Sequence, residues 1–349
     1  MKLSDIGEFG FLAYLEKQLK PRVKSNVVGV GDDAAVLDLG GRGYVLLSSD
    51  TVVEDVHFDL KYTSFFDLGW KAAASALSDI GAMGGAATGI LINLGIAGDI
   101  KLEDIERFYE GVQRVLHDAQ GVDILGGDTC QAAKFFVSIT VIGQVAKKAL
   151  LRRSGAKVGD KIVVLGTVGE AALGLELLKK QSDKSVLATD KQHQELMKKH
   201  LRPQPMLKEG RLIGELGLAT AAIDNSDGLA RSILEIARMS QVGAKIMQEA
   251  IPISAAAAVV TKELNMNLMD VALNGGEDYN LICTVSPKKL PQMLKTFKKR
   301  STVIGEITAQ AVYMETAKGK KVTLEHGGFD HFRRQGFWES IRKDWLKNS

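Results

Sequence analysis

Again and again in a chain of 349 residues, a short apolar run leads straight into a segment of Gly, Asp, Ser and Thr. Asp32 and Asp33 follow Val27-Val28-Gly29-Val30-Gly31, and Asp50 follows Leu46-Leu47-Ser48-Ser49. Asp128 follows Ile124-Leu125-Gly126-Gly127, and Asp224 and Asp227 follow Ala221-Ala222-Ile223. Glu277 and Asp278 come after Asn274-Gly275-Gly276, and Asp79 ends the first long helical pattern just before its glycines. A single Asp behind a strand reads as a turn residue or a helix cap. Six such places in one chain read as a site, because strand ends in layered α and β structure are where sites are built. Carboxylates gathered in one cleft repel and stay ionised together only with cations between them. A donor set of oxygens without His or Cys suits Mg²⁺ rather than zinc, and magnesium is commonly completed by substrate phosphates. The pattern therefore points to nucleotide-phosphate chemistry.

Periodicity orders the elements. Strands are predicted over 27–30 and 44–47. Ser64 caps a helix that buries Trp70, Ala73, Leu77 and Ile80 and is stopped by Gly81, Gly84 and Gly85. A strand over 89–96 follows, then an amphipathic helix marked by Leu102, Ile105, Phe108, Val112, Val115 and Leu116, then strands over 122–125 and 135–143. This is an α+β domain of βαββαβ type, its sheet covered by helices on one face. The basic stretch Lys147, Lys148, Arg152, Arg153, Lys157 reads as a connector, and a strand over 161–165 resumes an α/β alternation. Two domains are expected, 1–148 and 149–349, with 181–200 as a surface helix or loop.

Composition narrows the class. The chain is 45% hydrophobic and 25% charged, ordinary for a soluble protein, and its net charge of +3 is too small to argue for nucleic acid or a membrane surface. Cys130 and Cys283 have no CxxC spacing, so two buried free thiols are expected rather than zinc or a disulfide framework. Residues 1–10 lack the apolar core of a signal peptide and no apolar run reaches bilayer length, so a cytoplasmic protein is expected. The run VVGVGDDAAV begins like a dinucleotide fingerprint, but Asp32 and Asp33 would repel a bare pyrophosphate and the third glycine is missing. No GxxxxGK[ST] motif is present, which excludes a P-loop kinase. Arg153 suits a forked contact with a phosphate oxygen, with a solvated linker as the competing reading. His57 and Phe329, each taken alone, fit structural roles.

Nine segments in order carry a family resemblance: GVGDDAAV (29–36), SSDTVVEDVHF (48–58), LSDIGAMGG (77–85), LGGDT (125–129), RSGAKVGD (153–160), HLRPQP (200–205), AIDNSDGL (222–229), LNGGEDYNL (273–281) and GGFDHF (327–332). Together they resemble the thiamine-monophosphate kinases, of the superfamily that includes aminoimidazole ribonucleotide synthetase. The resemblance implies ATP-dependent phosphorylation of thiamine monophosphate to thiamine diphosphate with several Mg²⁺ ions. It also implies an N-terminal domain that pairs with a second copy through its sheet, and a C-terminal domain that closes the site. By the same resemblance Asp33, Ser48, Ser49, Asp50, Asp79, Asp128, Asp224 and Asp227 are metal ligands. Tyr109, Gly127, Asp128, Arg153 and Ser226 contact ATP, and His57, Glu277 and Phe329 contact thiamine phosphate. Ser49 stands where the family often has Thr, and Met206 replaces a common Arg after HLRPQP. The acceptor phosphate is already largely ionised at neutral pH, so no general base is expected; Asp50, Asp79 and Asp128 act through metal. The alternatives are another ATP-dependent enzyme of the superfamily or a nucleotide sensor without turnover. Against the first, the chain has no cysteine near either end, and aminoimidazole ribonucleotide synthetase lacks the GDDAAV and SDTVVEDVHF pattern.

Overall fold

The computed structural model describes residues 2–19, 22–182, 190–324 and 327–332. The N-terminal half is built on strands β1 (Asn26–Val28), β2 (Ala35–Leu37), β3 (Gly43–Val53), β4 (Ala86–Ile96), β5 (Asp123–Gln131) and β6 (Phe136–Ala146). They form one sheet in the order β1-β2-β3-β6-β4-β5, antiparallel throughout except for the parallel pair β4 and β5. Helix α1 (Leu3–Gln18) precedes the sheet, and α2 (Phe65–Ala82) and α3 (Leu102–Ala119) are inserted in it. The expected helix-covered sheet is present, with one short strand, β2, that no local pattern marked.

Helix α2 is the axis of the molecule. Ser64 starts it as expected: its Oγ accepts the Asp67 N–H at 3.1 Å and donates to the Asp67 carboxylate at 2.6 Å. Gly84, at φ 71, turns the chain out of it. From Asp67 to Ala82 every residue but Asp79 is buried, so the helix packs on every side. Its neighbours approach to backbone contact. A Cβ on Gly69 would lie 1.9 Å from the Phe108 carbonyl oxygen, and one on Gly111 would lie 2.0 Å from that of Phe66.

The C-terminal half carries β7 (Lys161–Leu165), α4 (Glu170–Ser182), α5 (Lys191–Leu201), α6 (Leu207–Leu216), β8 (Ala221–Asp224), α7 (Leu229–Ser240), β9 (Gly243–Met247), α8 (Ala255–Glu263), α9 (Leu268–Asn274), β10 (Leu281–Val285), α10 (Leu290–Phe297), β11 (Ser301–Thr308), β12 (Val312–Glu315) and β13 (Lys321–Thr323). Its sheet runs β13-β12-β9-β11-β7-β10-β8. Only β9 and β12 are parallel, so the domain is a mixed sheet with helices on both faces. Ile162, Val164, Ile223 and Ile282 join Ile233 and Ile236 of α7 on one side. Val163, Leu165, Ala222, Leu281, Cys283 and Val285 join Ile213, Met293 and Phe297 on the other. Burial on both faces is why these strands read as unbroken apolar runs.

Two expectations shift. β3 and β5 extend well past their apolar starts, so Asp50 and Asp128 lie inside strands rather than in loops behind them. β3 pairs with β6 through all eleven residues from Gly43 to Val53, and that ladder outweighs the turn preference of Ser-Ser-Asp-Thr. β5 is exposed along its whole length, and Cys130 with it, so only Cys283 is the expected buried thiol. The polar segment over 181–200 ends α4 and supplies α5; residues 183–189 lie outside the described residues. Among the described residues no helix is long and apolar enough to cross a membrane.

Candidate active site

The two halves meet over a cluster of carboxylates. Asp33 comes from the turn before β2, Asp79 from the last turn of α2 and Asp224 from the end of β8. One oxygen of each lies within 4.8 Å of the others. Ser48 on β3 donates its hydroxyl to Asp79, and Ser78 donates to Asp224 at 2.6 Å. Asp50, two residues after Ser48 on the same strand face, adds its negative charge to both Asp79 and Asp224. Arg153 answers part of this charge, with Nε 2.9 Å and Nη2 2.6 Å from Asp33 Oδ1. The other oxygen, Asp33 Oδ2, is buried with no hydrogen-bond partner.

The electrostatics follow. Burial pushes the Asp33 carboxyl up to about 8 against the pull of Arg153, with Asp224 and Asp32 adding to the rise. Asp79 is raised well above the usual carboxylate range, by burial and then by Asp224, Asp33 and Asp50. Burial also raises Asp224, and burial with Glu8 and Asp224 brings Asp227 to about 7. Acids held this close together without enough cation take up protons. An orphaned buried carboxylate oxygen within an all-oxygen donor set fits a hard divalent ion such as Mg²⁺.

Two cavities adjoin the cluster and share Glu8, Asp224, Ser226 and Asp227 as a common wall. The first, about 570 Å³, is lined by Asp33, Ser48, Ser49 and Arg153. The second, about 530 Å³, is lined by Asp50, Asp79, His57, Glu277, Tyr279 and Phe329. Here His57 Nδ1 accepts the Val53 N–H at 3.1 Å, and its ring lies 4.9 Å from that of His331, which meets Phe329 edge-on at 4.8 Å. The rim is tied across the molecule. The Glu8 N–H donates to Asp330 at 3.0 Å, and the His331 N–H donates to the Glu8 carboxylate at 3.2 Å. A larger cleft, about 700 Å³, lies elsewhere and is lined by none of the site residues expected from the sequence.

Four expected residues stand apart. The Ser49 hydroxyl pairs with Thr140 at 3.1 Å on the exposed face of the sheet, although the residue borders the first cavity. Tyr109 packs edge-on against Phe108 in the N-terminal core and lines neither cavity. Asp50, Ile139, Ile92 and Gly127 are successive partners across β3, β6, β4 and β5. Three strand spacings of about 4.8 Å separate Asp50 from Gly127 by roughly 14 Å, too far for Asp128 next to it to share an ion with Asp50 within one chain.

Sequence reasoning missed Lys71, His200, Ser78, Glu8 and His331. Lys71 carried a readable signal, a lone cation inside the apolar stretch Leu68-Gly69-Trp70-Lys71-Ala72-Ala73-Ala74. It is buried, with its ammonium 2.7 Å from Glu277.

The family model for the AIR synthase related protein, N-terminal domain, matches residues 31–145, and that for the C-terminal domain matches residues 157–316. The fold is that of this two-domain class. Curated relatives narrow it. The thiamine-monophosphate kinase of Synechococcus elongatus is 33% identical over 338 residues, covering 95% of this chain and 98% of the relative. That of Bacillus subtilis is 36% identical over 313 residues, covering 88% and 94%. A solved structure described as AaThiL complexed with AMPPCP and TMP superposes with a TM-score of 0.83 at 31% identity, covering 95% of this chain and 99% of the other. The chain belongs to the thiamine-monophosphate kinase family, and the enzyme is a phosphotransferase.

Proposed function

We propose that this protein transfers the γ-phosphoryl group of ATP to thiamine monophosphate by direct in-line displacement. The carrying observation is the pair of cavities with one acidic wall between them, a geometry for two phosphate-bearing substrates brought end to end. A terminal oxygen of thiamine monophosphate attacks the γ-phosphorus, that new P–O bond forms, and the bond to the departing ADP oxygen breaks. The attacking oxygen is largely ionised at neutral pH, so no side chain has to remove a proton.

Asp33, Asp50, Asp79, Asp224 and Asp227 with the Ser48 hydroxyl would hold Mg²⁺, which would supply the charge that screens the two polyanions. Arg153 and Ser226 border the nucleotide cavity, and Arg153 turns its fork from Asp33 to a phosphate oxygen. His57, Glu277 and Phe329 hold the thiamine end, with Phe329 as a stacking surface. ATP is co-substrate, and the reaction belongs in the cytoplasm. The purified protein given ATP, Mg²⁺ and thiamine monophosphate forms thiamine diphosphate, and EDTA abolishes the product. Nucleotide binding without turnover would instead make the protein a sensor.

The fully exposed strand β5 supports a homodimer joined through the N-terminal sheet, in which Tyr109, Gly127 and Asp128 of one copy serve the aspartate cluster of the other. Asp79→Asn and Asp128→Asn homodimers are then both inactive. Subunits mixed and allowed to exchange recover about a quarter of wild-type activity, because half the dimers are mixed and each has one intact site. No recovery in verified mixed dimers would return Asp128 to its own chain.

A further inference from the structure

We infer that Lys71 and His200 are positioning residues that fix the Glu277 carboxylate at the wall of the second cavity, where it offers a charge-compensated acceptor to an N–H donor on the substrate's heterocycle. This rests on the reading of that cavity as the thiamine-phosphate site.

The three groups come from three elements. Lys71 projects from α2, His200 from the end of α5, and Glu277 from the loop after α9. Lys71 Nζ lies 2.7 Å from Glu277 Oε1, 3.2 Å from His200 Nε2 and 3.4 Å from the His57 carbonyl oxygen. His200 Nδ1 lies 3.1 Å from Glu277 Oε2, with the ring angled off the ideal hydrogen-bond line. The side chains of Lys71 and His200 are 2% and 1% exposed, while that of Glu277 is 26% exposed. The lysine and the imidazole are therefore sealed behind the carboxylate, and only Glu277 shows an edge to the cavity it lines.

The chemistry of the triangle is fixed by its donors. An ammonium cannot accept, so His200 Nε2 accepts from Lys71 and the ring proton sits on Nδ1, facing Glu277. Burial and the neighbouring ammonium keep His200 neutral. Burial would push the Glu277 carboxyl up, but Lys71 and His200 outweigh it and hold it ionised. The triangle thus has no net charge, although a full carboxylate edge faces the cavity. A neutral group at this end neither repels nor captures phosphate, and it leaves the phosphate to the aspartate cluster. It recognises a hydrogen-bond donor instead.

The backbone is bent to deliver this edge. Glu277 and Tyr279 have φ of 66 and 51, conformations that side chains other than glycine rarely adopt. Gly276 is pressed against the turn of Ser226, where a Cβ would lie 2.4 Å from its carbonyl oxygen, and the Glu277 N–H donates to that oxygen at 2.6 Å. The loop that aims Glu277 is thereby strapped to a residue on the wall shared by the two cavities.

A double-mutant cycle tests the assignment, with KM for thiamine monophosphate and for ATP measured on Lys71→Met, Glu277→Gln and the double variant. Glu277→Gln raises KM for thiamine monophosphate about tenfold or more and leaves KM for ATP nearly unchanged. Lys71→Met does the same, and the double variant is no worse than Glu277→Gln, since an uncharged Gln needs no counter-ion. A double-variant KM equal to the product of the two single effects would overturn the positioning role. An unchanged KM in Glu277→Gln would instead remove Glu277 from the substrate site. Should Lys71→Met fail to fold, the double variant carries no unpaired buried charge, and its comparison with Glu277→Gln alone decides: an equal KM supports the role and a further rise overturns it.

Discussion

Asp79→Asn is expected to lower kcat by about a thousandfold or more and, in EDTA, to raise the melting temperature. The two effects share a cause. Asp79 sits half-buried against Asp33, Asp50 and Asp224, and desolvation with their charge raises its carboxyl well above the usual range. The folded protein therefore pays to keep this group among its neighbours when no cation is bound. Asn keeps an oxygen to accept from Ser48 but carries no charge, so the repulsion is relieved and folding becomes more favourable. The same change removes a ligand from the centre of the cluster. A coupled assay for ADP, alongside thermal melts with EDTA and with Mg²⁺, reads both effects. Near-normal turnover would sink the assignment of the cluster, and an unchanged melting temperature in EDTA would sink its electrostatic account.

The second large effect is a pH dependence that Mg²⁺ reverses. Asp33, at about 8, and Asp227, at about 7, lie far above their unfolded values near 3.8. The folded state holds more protons than the unfolded state between those limits, so the stability these groups contribute is full in acid and is lost as pH rises through 7 and 8. His57 and His200 are held neutral by burial and act in the opposite sense, but their contribution is complete once pH passes their unfolded value near 6.5. In EDTA the melting temperature therefore falls from about pH 6.5 to about pH 8. Mg²⁺ replaces those protons, so its stabilising shift grows over the same interval. Equal Mg²⁺ shifts at the two pH values would show that the ion binds elsewhere.

Much of this was legible because it is local. Asp33 and Asp227 lie at turns behind short strands and Asp224 ends one, and a motif of adjacent residues carries that information without knowledge of the partner strand. Asp50 and Asp128 were read as loop residues by the same rule, and there it failed. Whether Ser-Ser-Asp-Thr continues a strand depends on β6, which lies about ninety residues further on in the chain, and on a register no short motif encodes. Asp128 looked equivalent to Asp50 until the strand order put β6 and β4 between them. Cys130 was expected to be buried because most free thiols are, but it lies on an exposed edge strand that only the assembled sheet reveals. His200 ends a segment that reads as a surface helix or loop, and the lone Lys71 in its apolar stretch has no partner nearby in the sequence. Their partner, Glu277, reaches them from a loop in another part of the chain.

The glycines that let α2 touch its neighbours have a consequence for how this enzyme can change over generations. Gly69 and Gly111 meet opposing backbone directly, and at the other end a Cβ on Gly210 would lie 1.9 Å from the carbonyl oxygen of Gly81. Even an alanine at these points would wedge the helix out of place, and Lys71, Ser78 and Asp79 would move with it. Drift in this helix is therefore closed to all but a few positions. New acceptor preferences are more open at Phe329 and His331, which line the second cavity and lie outside this helix.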